Sequence, residues 1–457
     1  MTTTGGLRDG DAQTGQGWPS PRTREILHLS LPIIGAMTSQ NVLNLVDTWL
    51  VGGLGAAALA GCGIANFINF MSVAAITGLS TAVQAIAARR VGEGRLGETA
   101  VSLNGGILVS LAVGVPLSAL LIWAAPWYFS NMLSDPEVVK QGIPYLQWRL
   151  VAVALVGMNF SFRGYWSAVK LTRLYLYTLV WMHALNIAFS WTLIYGKFGF
   201  PALGTQGAGI GTTLSIAAGT ATYFWHAGRH ARGHGFLMRM PSGDEMRSLL
   251  KLGLPTCIQQ LLFSSGFTVL FWIVGKVGTP ELAVTNVLVN ITLLAVLPGI
   301  GFGLAATTLV SQALGRKDPA DAHRWAWDVY KVGAFVFGAM AAPMILAAGP
   351  ILAVFLRDPH LVEIGRWPMQ LVGVGILFDG LGLIMMHALL GAGASGLVMK
   401  ISIGLQWLLF LPYAYVIGPG LGFGLIAIWI GMSSYRVVQA WLFTHAWQRR
   451  EWVHIRV

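Results

Sequence analysis

Long apolar runs separated by short polar breaks dominate this chain. In order they cover 25–52, 56–86, 99–125, 142–167, 172–195, 206–228, 247–275, 281–313, 325–348, 365–390, 398–418 and 424–446. A helix needs roughly 20 such residues to cross a hydrocarbon core, and the longer runs must tilt or extend beyond it. The pattern predicts an all-α polytopic membrane protein of about twelve transmembrane helices. Only 10% of residues are charged and 55% are apolar, which agrees. The first 24 residues are polar and rich in Gly and Thr, with no apolar stretch of the kind that opens a signal peptide. They read as a disordered tail, and 447–457 reads as a second tail.

The first half of the pattern recurs in the second, 223 residues later and without a gap. Leu31-Pro32 matches Leu254-Pro255. Trp49, Val51, Gly52, Gly55, Leu59 and Ala60 match Trp272, Val274, Gly275, Gly278, Leu282 and Ala283, six identities in twelve positions. Gly78 and Gly92 match Gly301 and Gly315 in the same register. With 57 glycines some coincidences are expected, but not this many in one register. Six crossings per half is an even number, so both halves enter the membrane in the same direction. This predicts two pseudo-symmetric six-helix lobes, 25–228 and 247–446, related by an axis along the membrane normal, a transporter-like arrangement. A basic connection, 229–246, joins them and reads as a solvated linker.

The net charge of +11 raises nucleic acid as a partner, but its distribution argues against that. Twenty Lys and Arg fall in the tails and even-numbered connections, Arg8 and Arg456 among them. The other side holds only Lys140, Lys197, Lys276, Arg357 and Arg366. This positive-inside bias places both termini in the cytoplasm, and for a bacterial chain the membrane is the inner one. Apart from Lys331 and Arg436, the basic residues read as lying at span ends. Cys62 and Cys257 fall inside spans and read as small core residues. No metal-ligand spacing, phosphate-binding loop or nucleophile elbow occurs, which argues against an enzyme, an ATP-driven pump or a metal site.

Two acids lie well inside spans, Asp47 and Asp379. A carboxylate at membrane depth is expensive unless paired, hydrated or protonated, so it points to function. The repeat sets Asp47 against Leu270 and Asp379 against Val156, so neither acid is demanded by the duplicated fold. Gln40, Asn44 and Asp47 share one helix face by their i, i+4, i+7 spacing. Asn66, Asn186 and Ser190 sit on neighbouring spans. Such side chains also glue helices together, yet amides around a carboxylate suit a proton or Na⁺. In the second half Gln260, Ser264 and Asn286 accompany Asp379, with aromatic and Met surface nearby that suits a lipophilic organic cation. His183 and His387 read as packing residues, with proton relay as the alternative. Pro32 is either a hinge in span one or a first-turn helix-entry proline.

Several of these stretches resemble one family. Leu31-Pro32, Asn44-Leu45-Val46-Asp47-Thr48, Val51-Gly52-Gly53-Leu54-Gly55 and Leu59-Ala60 are similar to the first span of the multidrug and toxic compound extrusion (MATE) family. Arg163-Gly164, Asn186, the run from Ile194 to Gly204, Gln312, Gly315 and His387-Ala388-Leu389-Leu390-Gly391-Ala392-Gly393 extend the match over about 25–445. The Gly-Lys-Phe-Gly-x-Pro run resembles the NorM-like branch. The resemblance implies a V-shaped bundle that exports drugs or metabolites in exchange for H⁺ or Na⁺, with no other cofactor. It implies that Asp47 is the cation-coupling acid, Asn186 its amide partner and Asp379 the second-lobe acid.

Two positions depart from the family. Ser190 stands where many members carry an acid, and Gln260 and Ser264 stand near a Glu of NorM-like members. Fewer carboxylates favour H⁺ over Na⁺. The expected partners are small-molecule substrates and lipid, with the chain acting as a monomer. A lipid-linked precursor flippase of the same superfamily and a non-transporting scaffold are the competing readings.

Overall fold

A computed structural model describes residues 20–132 and 135–455, and it is built from helices with no strand among those residues. The N-terminal half contains α1 (Pro21–Gly52), α2 (Ala56–Gly92), α3 (Val101–Met132), α4 (Pro136–Val151), α5 (Val153–Ala168), α6 (Thr172–Tyr195) and α7 (Gly204–His230). The C-terminal half contains α8 (Gly243–Val277), α9 (Thr279–Gly315), α10 (Pro319–Leu346), α11 (Ala348–Phe355), α12 (Pro359–Ala392), α13 (Ser395–Ile403), α14 (Leu411–Tyr415) and α15 (Gly424–Gln448). Two π-helical stretches, Gly404–Phe410 and Val416–Gly420, flank α14 and make one crossing of 395–420. Pairing α4 with α5, and α10 with α11, gives six crossings per lobe.

Nine of these helical segments are long and apolar enough to cross a membrane on length and composition alone. The others are the broken α4–α5 crossing and helices α6 and α7, whose sequences carry Gly, Thr, His, Asn and Ser. Most of the expected tail 1–24, and Arg8 and Arg456, lie outside the described residues. Within the described part α1 already begins at Pro21, where the Ser20 hydroxyl accepts from Thr23 N at 3.2 Å and proline occupies the first turn.

The break in the fourth crossing was not expected from its sequence, which has no Gly or Pro there. Its cause is tertiary. The Trp148 carbonyl accepts from Thr213 Oγ1 of α7 and the Leu150 carbonyl from Ser118 Oγ of α3, both at 2.6 Å. Ala152 N then turns to the Arg149 carbonyl at 3.2 Å. Two neighbouring hydroxyls thus pull carbonyls out of the helical ladder.

Pro32 lies well inside α1, which rules out the helix-entry alternative. A proline there leaves the carbonyl four residues earlier without its donor. That carbonyl belongs to His28, and Thr172 Oγ1 at the start of α6 donates to it at 3.3 Å. The second lobe repeats the device position for position. Pro255 lies inside α8, and Ser395 Oγ at the start of α13 donates to the Lys251 carbonyl at 3.4 Å.

The lobes meet through glycines at the repeated positions. A Cβ on Gly92 would overlap the Gln312 carbonyl, and one on Gly315 would overlap the Arg89 carbonyl, so α2 and α9 cross backbone against backbone. Gly78 lies against Gly253 O and Cys257 of α8, and Gly301 against Ser30 O and Ile34 of α1. The second helix of each lobe therefore packs on the first helix of the other. Polar contacts close the same end: Gln84 Nε2 to Leu304 O at 2.7 Å, Gln312 Nε2 to Ala168 O at 2.8 Å and Thr308 Oγ1 to Ser167 O at 3.0 Å. Three ion pairs join the lobes there, Arg22 with Asp321 at 2.7 Å, Arg22 with Asp328 at 2.6 Å and Arg90 with Glu245 at 2.6 Å.

Beyond the Ser265–Met71 contact at 4.0 Å, about midway along α8 and α2, no hydrogen bond or ion pair among the described residues joins the lobes. The end that carries Gly53 and Gly278 therefore lacks the polar ties that hold the other end together.

The connection between lobes is not the solvated linker that its charge suggested. Asn104 of α3 clamps it, with Nδ2 donating to Gly235 O at 2.9 Å and Arg239 O at 2.8 Å, and Oδ1 accepting from Leu237 N at 3.1 Å. Phe236 and Ala231 are buried beneath. The charge pattern described the side chains but not the backbone, which needed a partner and found one in Asn104.

The glycine crossing makes a testable demand. Gly92→Ala or Gly315→Ala must separate the lobes at their closest approach and should each cost about 1–3 kcal/mol. Gly338→Ala, where an added Cβ meets nothing within 4 Å, should be silent. Thermal unfolding of the detergent-solubilised variants checks this; equal melting temperatures for all three would exclude backbone contact as the joint.

Candidate functional site

In the N-terminal lobe a cavity of about 250 Å³ is enclosed by α1, α2, α4, α6 and α7. Asp47, Thr48 and Val51 face it from α1, Leu59, Cys62, Gly63 and Asn66 from α2, and Tyr145, Ile194, Ala208 and Thr212 from the others. Three of its polar side chains already donate, one to another lining residue and two to carbonyls of their own helices. Tyr145 donates to Asn66 Oδ1 at 2.8 Å, Thr48 Oγ1 to Asn44 O at 2.7 Å and Thr212 Oγ1 to Ala208 O at 3.0 Å. Asp47 is the exception: among the described residues no side chain or backbone group hydrogen-bonds its carboxylate. The charged residue whose field reaches it is Arg149, next to the break in the fourth crossing.

The six residues expected around a coupled cation do not form one shell. Asp47 and Asn66 share the cavity. Asn186 and Ser190 are buried on α6 and pair with each other, Ser190 Oγ donating to Asn186 Oδ1 at 3.2 Å. Gln40 and Asn44 belong to a separate chain of bonds running back from Asp47. Ser39 Oγ lies 2.8 Å from His183 Nδ1, His183 Nε2 lies 3.1 Å from Gln40 Oε1, and Gln40 Nε2 donates to Asn44 Oδ1 at 3.2 Å. This order fits a neutral His183 carrying its proton on Nε2.

Asp379, expected as the second-lobe acid, is paired. Its Oδ1 lies 3.6 Å from Nε of Arg436 on α15, and both side chains are about nine-tenths buried. Gln260 and the buried Ser264 on α8 make no hydrogen bond among the described residues, and Asn286 is exposed and accepts from Asn290 Nδ2 at 2.8 Å. His387 is a packing residue, lying over Gly303 with Nδ1 2.8 Å from Leu383 O.

Sequence reasoning passed over Arg149, although a charge within run 142–167 is the same kind of signal that singled out Asp47. Tyr145 carried no signal, since a tyrosine in an apolar run reads as packing.

A twelve-crossing bundle of two repeated lobes, closed at one end, with a lone carboxylate in a cavity at membrane depth, defines a membrane transporter of the duplicated-lobe class. The family model MatE matches residues 32–192 and 255–416, and the two matches begin 223 residues apart, the register of the repeat. The chain belongs to the MatE family, whose members are transporters and not enzymes.

Among curated relatives, "Probable multidrug resistance protein NorM" of Thermotoga maritima is 27% identical over 423 residues, covering 90% of this chain and 89% of that one. The protein of the same name from Rhizobium meliloti is 28% identical over 448 residues, covering 94% and 95%. Among solved structures, one described as an outward-facing conformation of a multidrug resistance MATE family transporter superposes with a TM-score of 0.86. It is 21% identical, with 95% and 97% of the chains covered.

The buried pair of the second lobe can be tested by stability. Removing one partner leaves the other charge uncompensated, so Arg436→Gln alone should cost about 3–5 kcal/mol. Combining it with Asp379→Asn should recover most of that loss. Melting temperatures that simply add, with no recovery in the double variant, would show that the two groups are not coupled.

Proposed function

We propose that this chain is a proton-driven antiporter that exports lipophilic organic cations or similar metabolites, with Asp47 as the coupling group. The observation that carries the proposal is a carboxylate that no group among the described residues hydrogen-bonds, facing a small cavity within a lobe. Such a group needs a proton or a cation to be tolerated there. The donor set favours the proton. Among the described residues Asp47 is the only carboxylate lining the cavity, and a single proton neutralises it without any further ligand, whereas a bound Na⁺ would have to complete its shell from neutral oxygens.

The direction of transport follows from orientation. The closed end carries Arg22, Arg89, Arg90 and Arg316, so the positive-inside rule assigns it, with both termini, to the cytoplasmic side of the inner membrane. The end without inter-lobe ties then faces outward. A proton taken from the outside favours an outward-facing state only if it binds there more tightly than in the inward-facing one. Asp47 is the group that would supply that difference. The chain acts as a monomer, since the Asp47 cavity is completed within one copy.

Asp47→Asn keeps the volume and removes the titratable group. Efflux of a cationic dye should fall to the level of cells lacking the transporter, with the protein still inserted. Wild-type efflux at equal expression would rule out Asp47 as the coupling residue. Separately, efflux should collapse when an uncoupler dissipates the proton gradient and should persist in Na⁺-free buffer. A strict Na⁺ requirement would reverse the assignment of the ion.

A further inference from the structure

The fourth crossing carries an arginine for which packing gives no reason. Arg149 lies well inside the run 142–167, is half-buried, and makes neither a hydrogen bond nor an ion pair among the described residues. Its guanidinium carbon lies instead 5.8 Å from the ring centroid of Tyr145, one turn back on the same face of α4. Tyr145 lines the Asp47 cavity, so Arg149 flanks that cavity from the α4 side. The backbone on either side of Arg149 is pinned, Trp148 O by Thr213 of α7 and Leu150 O by Ser118 of α3.

The repeat separates what the fold needs from what was added to it. Its register holds at this crossing, since Asp135-Pro136 at the start of α4 matches Asp358-Pro359 at the start of α12. In that register Asp47 stands opposite Leu270 and Arg149 opposite Val372, both buried. Two aliphatic side chains satisfy the duplicated frame, yet the first lobe has an acid and a base at the same two positions. Each charge is expensive inside a crossing, and opposite signs reduce the cost of both.

We propose that Arg149 is the counter-charge of Asp47: it stabilises the carboxylate once its proton has left, and so sets the pH at which the site loads and empties. It is a positioning residue, acting through its field and not by contact. This rests on the reading of Asp47 as the coupling acid. Without such a charge, a carboxylate in an apolar crossing keeps its proton against the cytoplasmic pH, and the cycle stalls at release. A bonded salt bridge would do the opposite and keep the acid from loading. A positive charge held nearby but out of contact permits both steps. The other titratable groups facing the cavity are Cys62 from α2 and Tyr145 from α4, while α6 and α7 present Ile194, Ala208 and Thr212.

A titration that needs no transport tests this. Infrared difference spectra of the purified protein follow the protonated-carboxyl band against pH. The part of that band lost in Asp47→Asn belongs to Asp47 and is distinct from thiol and phenol signals. In Arg149→Gln or Arg149→Met, whichever folds, its midpoint should rise by about one pH unit, tenfold in proton affinity, because the field favouring the carboxylate is gone. Arg149→Lys should restore the wild-type midpoint. In proteoliposomes the pH profile of dye efflux should move the same way in the neutral variants.

A midpoint unchanged in the neutral variants would overturn the counter-charge. So would a midpoint displaced as far by Lys as by Gln, which is the result a purely structural arginine would give, or a spectrum with no carboxyl band that depends on Asp47. A midpoint that moves as expected, while Asp47→Asn still exports dye under a proton gradient, would uphold the counter-charge and sink the coupling reading instead.

Discussion

Where α2 crosses α9, nothing but backbone separates the two lobes, and the rest of the molecule is arranged around that contact. Helices in lipid gain little from excluding apolar surface from water, since the alternative surroundings are equally apolar. What holds them is close packing and hydrogen bonding. Gly92 and Gly315 allow the approach, each lying against the carbonyl of its counterpart's neighbour, Gln312 or Arg89. The approach in turn brings Gln84, Thr308 and Gln312 within reach of carbonyls in the opposite lobe. These contacts gather at one end, so the lobes are tied there and not at the other.

The duplication is faithful in shape and unfaithful in charge. Prolines, crossing glycines and carbonyl-capping hydroxyls recur at the same register. Asp47 and the Asp379–Arg436 pair do not. One lobe keeps a lone carboxylate beside a cavity, and the other keeps a neutralised pair among aromatic rings. Two nearly identical frames thus carry different charge chemistry, an acid beside a cavity in one and a buried pair in the other.

Much of this was legible in the sequence, for definable reasons. Each long apolar run became a crossing because bilayer thickness sets a length that composition alone reveals. The repeat register gave the lobes their symmetry, and Asp47 stood out because a charge in an apolar run is rare. The rest depends on partners distant along the chain. The kink after Leu150 comes from the hydroxyls of Ser118 and Thr213. The π-helical stretch at Gly404–Phe410 accompanies Gln406 and Trp407 reaching the Phe263 and Leu262 carbonyls. The partner of Asp379 could not be named because it lies 57 positions later, on a helix whose facing no local pattern fixes.

The hydroxyl of Thr172 bears on how such a molecule can move. A proline kink is commonly pictured as a weak point at which one helix flexes alone. Here the freed carbonyl of His28 is tied to the first residue of α6, so the two helices share the joint. Tilting α1 above Pro32 therefore loads α6 as well, and α6 is where His183, Asn186 and Ser190 sit. A bend of α1 at Pro32 would thus engage two linked helices, and with them the polar side chains that α6 carries.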